Sequence, residues 1–168
     1  LLAKLANFYS ESIINNNIEY DFIFGPAYKG ITLATSISNS LYNAHNIIKP
    51  FCFNRKEIKK HGESGIFVGS QPKGRALIVD DVISSGKSII ESIDLLSNNN
   101  ATPSTVLVAF DRMERGANEK ASLEISSKYS IPVFSIITLD DIIEFLTSEK
   151  MMAVELNSMI KYMKIYKG

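Results

Sequence analysis

The hydrophobic positions change period several times along the chain, and each change marks an element. Leu2, Leu5, Ala6, Tyr9 and Ile13 share one face at helical spacing from the first residues onward. Phe22 to Phe24 form an apolar run of strand length, and from Gly30 the spacing of Ile31, Ala34, Ile37 and Leu41 predicts a helix. Pro50 to Phe53 predict another strand. Ala76 to Val79 are apolar at successive positions, without the alternation of a half-buried strand, which predicts a central parallel strand covered on both faces. Ile89, Ile93 and Leu96 make the next helical stripe, stopped at Asn98-Asn99-Asn100 because asparagine tolerates left-handed backbone geometry. Thr105 to Phe110 then predict a strand, Glu119 to Tyr129 a helix, Val133 to Ile137 a strand, and Asp140 to Leu146 a capped helix. In the tail from Lys150, Val154, Met159 and Met163 recur at helical intervals, a core or subunit-contact pattern with no readable function. Regular alternation of strand and helix means an α/β fold with a doubly wound, mainly parallel sheet and helices on both faces. With no internal repeat and no linker, residues 1–168 read as a single domain.

The most specific chemistry follows the buried run. Asp80 and Asp81 sit at its carboxyl end, where open α/β sheets bind their ligands, and Val82, Ile83, Ser84, Ser85, Gly86, Lys87 and Ser88 form a small, hydroxyl-rich turn that opens a helix. Backbone N–H groups and hydroxyls gathered there suit a phosphate dianion, and Ser85 or Ser88 is placed to cap the helix. The two carboxylates would repel that phosphate, so their partners are hydroxyl groups or a metal ion one sugar's width away. A phosphorylated ribose offers these groups in that order. Read singly, paired aspartates at a strand end are turn or cap residues; the whole run is the more specific signal. Gly86-Lys87-Ser88 also matches the tail of a nucleotide-phosphate loop, but Asp81 stands where that loop needs its first glycine.

A second region, residues 54–71, crowds Arg55, Lys56, Lys59, Lys60 and His61 ahead of Gly62, Gly65 and Gly69. Such a charge run is ordinarily a solvated surface. On a hinge-rich loop that closes over a phosphorylated substrate, the same cations act in the transition state and exclude water.

Composition adds limits. Of 168 residues, 45% are hydrophobic, ample for a core, and 18 Lys and Arg balance 18 Asp and Glu, so no net basic charge favours a nucleic-acid partner. No apolar stretch approaches the roughly 20 residues that span a bilayer, and no signal-peptide pattern is present. A cytoplasmic enzyme is the expectation. Cys52, the single cysteine, lies between Phe51 and Phe53 and reads as a buried structural thiol.

Val79 to Ser88 resembles the signature by which type I phosphoribosyltransferases hold 5-phosphoribosyl 1-diphosphate. Three further segments are similar to the orotate phosphoribosyltransferase family: Phe24 to Gly30, Phe53 to Glu57 with His61-Gly62-Glu63, and Asp111 to Gly116. The likeness runs from the first residues to about Leu146. It implies transfer of the phosphoribosyl group to orotate, giving orotidine 5′-monophosphate and pyrophosphate, with Mg²⁺ bound mainly through the diphosphate. Asp80 and Asp81 would hold the ribose hydroxyls, and Val82 to Ser88 the 5′-phosphate. Tyr28 and Lys29 would meet the pyrophosphate; Arg55, Lys56, Lys59 and His61 look like the catalytic loop, with Lys59 stabilising the leaving group and His61 assisting. Arg112 looks like the ligand of the orotate carboxylate, and Ser84 occupies the position whose hydroxyl contacts the base.

The family's loop reaches the neighbouring subunit's site, so a homodimer with shared active sites is implied. Ser84 replaces a common threonine, and Lys87 replaces a small or hydroxyl residue, where it either adds a phosphate contact or points to solvent from the first helical turn. The family's front segment, which supplies another lysine and paired aromatics, is not seen ahead of Leu1, so the chain looks truncated at the front. Two other readings remain: a transferase for a purine or another base, and a noncatalytic sensor that keeps the phosphoribosyl pocket. A sensor has no need of Lys59 and His61, and a purine enzyme has none of Arg112.

Overall fold

The computed structural model describes residues 1–59 and 65–168, with the side chains of Ile58 and Lys59 outside the described set. Among these residues six strands form one sheet: β1 (Phe22–Gly25), β2 (Phe51–Lys59), β3 (Gly65–Gly69), β4 (Gly74–Ile83), β5 (Ala101–Asp111) and β6 (Val133–Thr138). Their spatial order is β3-β2-β1-β4-β5-β6. All neighbours are parallel except β2 and β3. The helices are α1 (Leu2–Asn15), α2 (Lys29–His45), α3 (Lys87–Ser97), α4 (Ala121–Tyr129), α5 (Leu139–Ser148) and α6 (Ala153–Tyr166).

Two cores explain why the central strands lack polar alternation. Successive strand residues point to opposite faces. Phe22, Phe24, Ala76, Ile78, Val106 and Val108 pack with Ile89, Ile93 and Leu96 of α3 and Ile125 of α4. Ile23, Leu77, Val79 and Leu107 face the other way, onto Ala6, Tyr9 and Ile13 of α1 and Leu33, Ala34, Ile37 and Leu41 of α2. Each Val, Leu, Ile or Phe side chain so removed from water contributes about 1.5–3 kcal/mol before chain entropy is counted. Cys52 is fully buried, and burial pushes its thiol up to about 12, as suits a packing residue.

The chain leaves β1 through α2 to reach β2 on one side, while β4 pairs with β1 on the other. Strand order reverses there, so the carboxyl ends of β1 and β4 flank the crevice where such sheets bind ligands. Gly25 and Gly30 make the β1–α2 turn tight: a Cβ on Gly25 would stand 2.0 Å from the Gly30 carbonyl oxygen.

Several boundaries differ from the sequence expectation. The stretch 54–71 is largely the arms of an antiparallel hairpin rather than a loop, because Phe53 pairs with Val68 and Asn54 with Phe67, whose ring packs edge-on against Phe24 at 6.0 Å. The 140–146 helix starts earlier, at Leu139, with Thr138 and Asp141 forming a reciprocal capping box. Neither Ser85 nor Ser88 caps α3. Gly86 holds the cap position with φ 75° and no side-chain cap, since a Cβ there would lie 2.5 Å from Ile125 Cδ1.

Candidate active site

β4 delivers both acids to the crevice, in unlike settings. Asp80 is 8% exposed; its carboxylate accepts from the Asp81 N–H at 2.9 Å and the Ser88 hydroxyl at 3.1 Å. Burial nevertheless holds its pKa above the ordinary value. The Asp80 main-chain carbonyl accepts from the Tyr9 hydroxyl at 2.6 Å, and Tyr9 is fully buried, so α1 pins the strand at the residue that carries the acid. Burial raises the Tyr9 phenol well above its usual value, leaving it a protonated donor. Asp81 is more open and meets Lys29, whose ammonium donates at 2.6 Å across the crevice and is pushed up in pKa by that bond.

Past the acids the chain curls into a concavity of about 370 Å³ lined by Val82 to Ile89 and Glu91. Its floor is the first turn of α3, whose N–H groups have no acceptor within the helix. Lys87 is exposed at the rim of this concavity, and its ammonium stands 3.9 Å from Glu91. The turn can hold a phosphate through main chain and hydroxyls, while Asp80 and Asp81 lie beside it as acceptors for alcohols.

The opposite wall is the segment 26–28 before α2. Its Ala27 N–H donates to the Asn54 side chain of β2 at 2.9 Å, and the Ala27–Tyr28 peptide bond is cis. Tyr28 is 68% exposed, and the Lys56 ammonium stands 4.6 Å from its ring centroid. Arg55 donates from Nη1 to the Gly65 carbonyl at 3.2 Å, tying the hairpin arms together. The Lys59 side chain and all of His61 lie outside the described residues.

Arg112 follows β5, and its N–H donates to the Ile83 carbonyl at 3.0 Å, which fixes it beside the end of β4. The preceding Asp111, 4% exposed, accepts from the Met113 N–H and the Ser122 hydroxyl, each at 2.7 Å, and faces Lys120 at 3.5 Å. This buried carboxylate shapes the turn that carries Arg112. The Arg112 guanidinium pairs through Nε with Glu114 at 3.0 Å and through Nη2 with the Tyr162 hydroxyl of α6.

The structure thus brings Lys29, Asp80, Asp81 and the 82–88 turn together, with Arg112 at the neighbouring strand end. Sequence reasoning missed Tyr9, Asn54 and Tyr162. Tyr9 was visible only as one member of an apolar helical stripe, and Tyr162 lies in the tail whose function had no local signal. Among the described residues no three His, Cys, Asp or Glu side chains gather to hold a metal. Two carboxylates suit Mg²⁺ that arrives on phosphate oxygens, because this ion keeps most of its ligands from water and substrate.

Comparison with known proteins identifies the family. The model of the phosphoribosyl transferase domain matches residues 1–153. The orotate phosphoribosyltransferase of Thiobacillus denitrificans is 46% identical over 166 residues, covering 98% of this chain and 78% of that protein. The crystal structure of orotate phosphoribosyltransferase from Francisella tularensis superposes with a TM-score of 0.84 at 34% identity, covering 99% of this chain and 80% of that one. The Mycobacterium tuberculosis orotate phosphoribosyltransferase in complex with 5-phospho-alpha-D-ribosyl 1-diphosphate shares the fold, with a TM-score of 0.64 at 20% identity over 83% of this chain and 74% of that one. Sheet order, crevice and relatives lead to one family: the chain belongs to the phosphoribosyltransferases and, within them, to the orotate phosphoribosyltransferases.

Proposed function

We propose that the chain transfers the 5-phosphoribosyl group from 5-phosphoribosyl 1-diphosphate to orotate, giving orotidine 5′-monophosphate and pyrophosphate in pyrimidine biosynthesis. The observation that supports this best is the Asp80–Asp81 pair beside the 82–88 turn, at the sheet's switch point, with Arg112 on the next strand end. The bond from C1 of ribose to the diphosphate oxygen breaks and its electron pair leaves with pyrophosphate. A ring nitrogen of orotate bonds to C1 and its proton passes to solvent. Bond breaking runs ahead, so the sugar ring becomes cationic while charge builds on the leaving group.

Asp80 and Asp81 accept from the ribose hydroxyls, and their charge favours the cationic ring. The buried, hydrogen-bonded Asp80 is the fixed member; Asp81 exchanges Lys29 for the sugar. Released from that pair, Lys29 joins Tyr28, Arg55 and Lys56 at the diphosphate. Lys59 and His61 complete the leaving-group site, and Ser84 and Arg112 hold the base. Mg²⁺, arriving with the diphosphate, would offset the negative charge that builds on it. The protein works as one domain, in the cytoplasm, as a homodimer with shared sites. No helix among the described residues is long and apolar enough to cross a membrane.

Loss of orotate absorbance in the presence of 5-phosphoribosyl 1-diphosphate and Mg²⁺, matched by equimolar pyrophosphate, is the expected result. Turnover with hypoxanthine or uracil but not orotate would transfer the assignment to another base. Binding of the diphosphate without turnover of any base would favour a sensor.

A further inference from the structure

The last helix reaches Arg112. Arg112 has two faces for pairing: a side fork formed by Nε and Nη2, and an end fork formed by Nη1 and Nη2. Glu114 takes Nε at 3.0 Å and the Tyr162 hydroxyl takes Nη2, while that same hydroxyl donates to Glu114. The side fork is therefore closed by a three-membered ring of hydrogen bonds. Among the described residues Nη1 makes no hydrogen bond, so the end fork remains open for a planar carboxylate. The guanidinium carbon also stands 5.2 Å from the Tyr162 ring centroid, and Tyr166 packs on that ring at 4.6 Å.

The end of the tail is anchored to the Arg112 turn and to α5. The Arg115 N–H donates to the Tyr166 carbonyl at 2.7 Å, the Gly168 N–H donates to the Met113 carbonyl at 3.1 Å, and Lys167 pairs with Asp140 at 2.7 Å. Burial, and then the bond to Glu114, raise the Tyr162 phenol above its usual pKa, so it remains protonated through the neutral range. An arginine on an exposed turn would otherwise sample many rotamers, and ordering it would oppose binding.

Resting on the base-site reading of Arg112, we propose that Tyr162 is a positioning residue which, with Glu114, locks the side fork of Arg112 and presents its end fork to the carboxylate of the pyrimidine substrate. The tail then sets selectivity for a carboxylated base without touching it.

Steady-state kinetics of the full chain and its Tyr162→Phe variant test this. The change keeps the ring and removes only the hydroxyl, with its bonds to the charged Arg112 and Glu114, so KM for orotate should rise about tenfold. KM for 5-phosphoribosyl 1-diphosphate and the inhibition constant of uracil, which has no carboxylate, should hold, with the melting temperature lowered by no more than a few degrees. An unchanged orotate KM, or an equal rise for both substrates, overturns the proposal. If Tyr162→Phe does not fold, Tyr162→His, which keeps a ring with a polar edge, should give a smaller rise confined to orotate; no orotate-selective rise overturns it. Absence of orotate turnover by the unaltered chain would instead defeat the base-site reading itself.

Discussion

Tyr9→Phe isolates the bond by which α1 holds the acid-bearing strand. The ring is fully buried, and phenylalanine keeps its packing, so no cavity opens. What disappears is a 2.6 Å hydrogen bond to the Asp80 carbonyl, in a core that water does not reach. Leaving a buried acceptor short of a partner costs about 1–2 kcal/mol. For a chain of 168 residues, where 1 kcal/mol shifts the melting temperature by about 2–4 °C, the expected fall is about 2–8 °C. Tyr20→Phe is the internal control. Its hydroxyl is buried, has no hydrogen-bond partner among the described residues, and is pushed up to about 12 by burial. Removing it should leave stability unchanged or raise it. Thermal unfolding followed by circular dichroism reads both variants. A Tyr9→Phe melting temperature within about 1 °C of the parent, or equal losses in the two variants, would refute the reasoning.

Asp80→Asn should raise the melting temperature at pH 7 while abolishing turnover. Burial lifts the folded-state pKa of Asp80 above 3.8, so ionisation disfavours the native state. That penalty is absent below about pH 4 and grows as pH rises toward the folded value. The advantage of the variant should therefore shrink on acidification, and a melting series showing the reverse would contradict it. Gly25→Ala should destabilise by at least about 3 kcal/mol, since the new Cβ meets the Gly30 oxygen at 2.0 Å and the Ala34 Cβ at 2.9 Å. Its urea midpoint reads this directly, and a parental midpoint would show that the turn opens more easily than its geometry implies. Deleting residues 153–168 should raise KM for orotate more than KM for 5-phosphoribosyl 1-diphosphate, because the Tyr162 lock goes with them. Parental values for both substrates would remove the tail from the base site.

The fold was legible where one period dominated. Apolar runs at 22–24, 76–79 and 105–110 are core strands because alternate residues feed two separate cores, and that double coverage is why they carry no polar alternation. The acid pair and its turn were legible because their chemistry is local in sequence. Strand ends were less so: β4 continues through both aspartates to Ile83, a continuation set by pairing with β5 that no local pattern records. The hairpin was hidden because its pairing partners, Phe53 with Val68 and Asn54 with Phe67, are separated by cations and glycines that read as loop. Tyr9, Asn54 and Tyr162 act over separations of 71, 27 and 50 residues, which only the folded chain reveals.

The most direct test of the account is a crystal structure with 5-phosphoribosyl 1-diphosphate and Mg²⁺ bound. Ribose hydroxyls within about 3 Å of the Asp80 and Asp81 carboxylates, with the 5′-phosphate on the main chain of the 84–88 turn, is the predicted result. A 5′-phosphate seated elsewhere, with both carboxylates still engaged only by Lys29, Ser88 and the main chain, would contradict it.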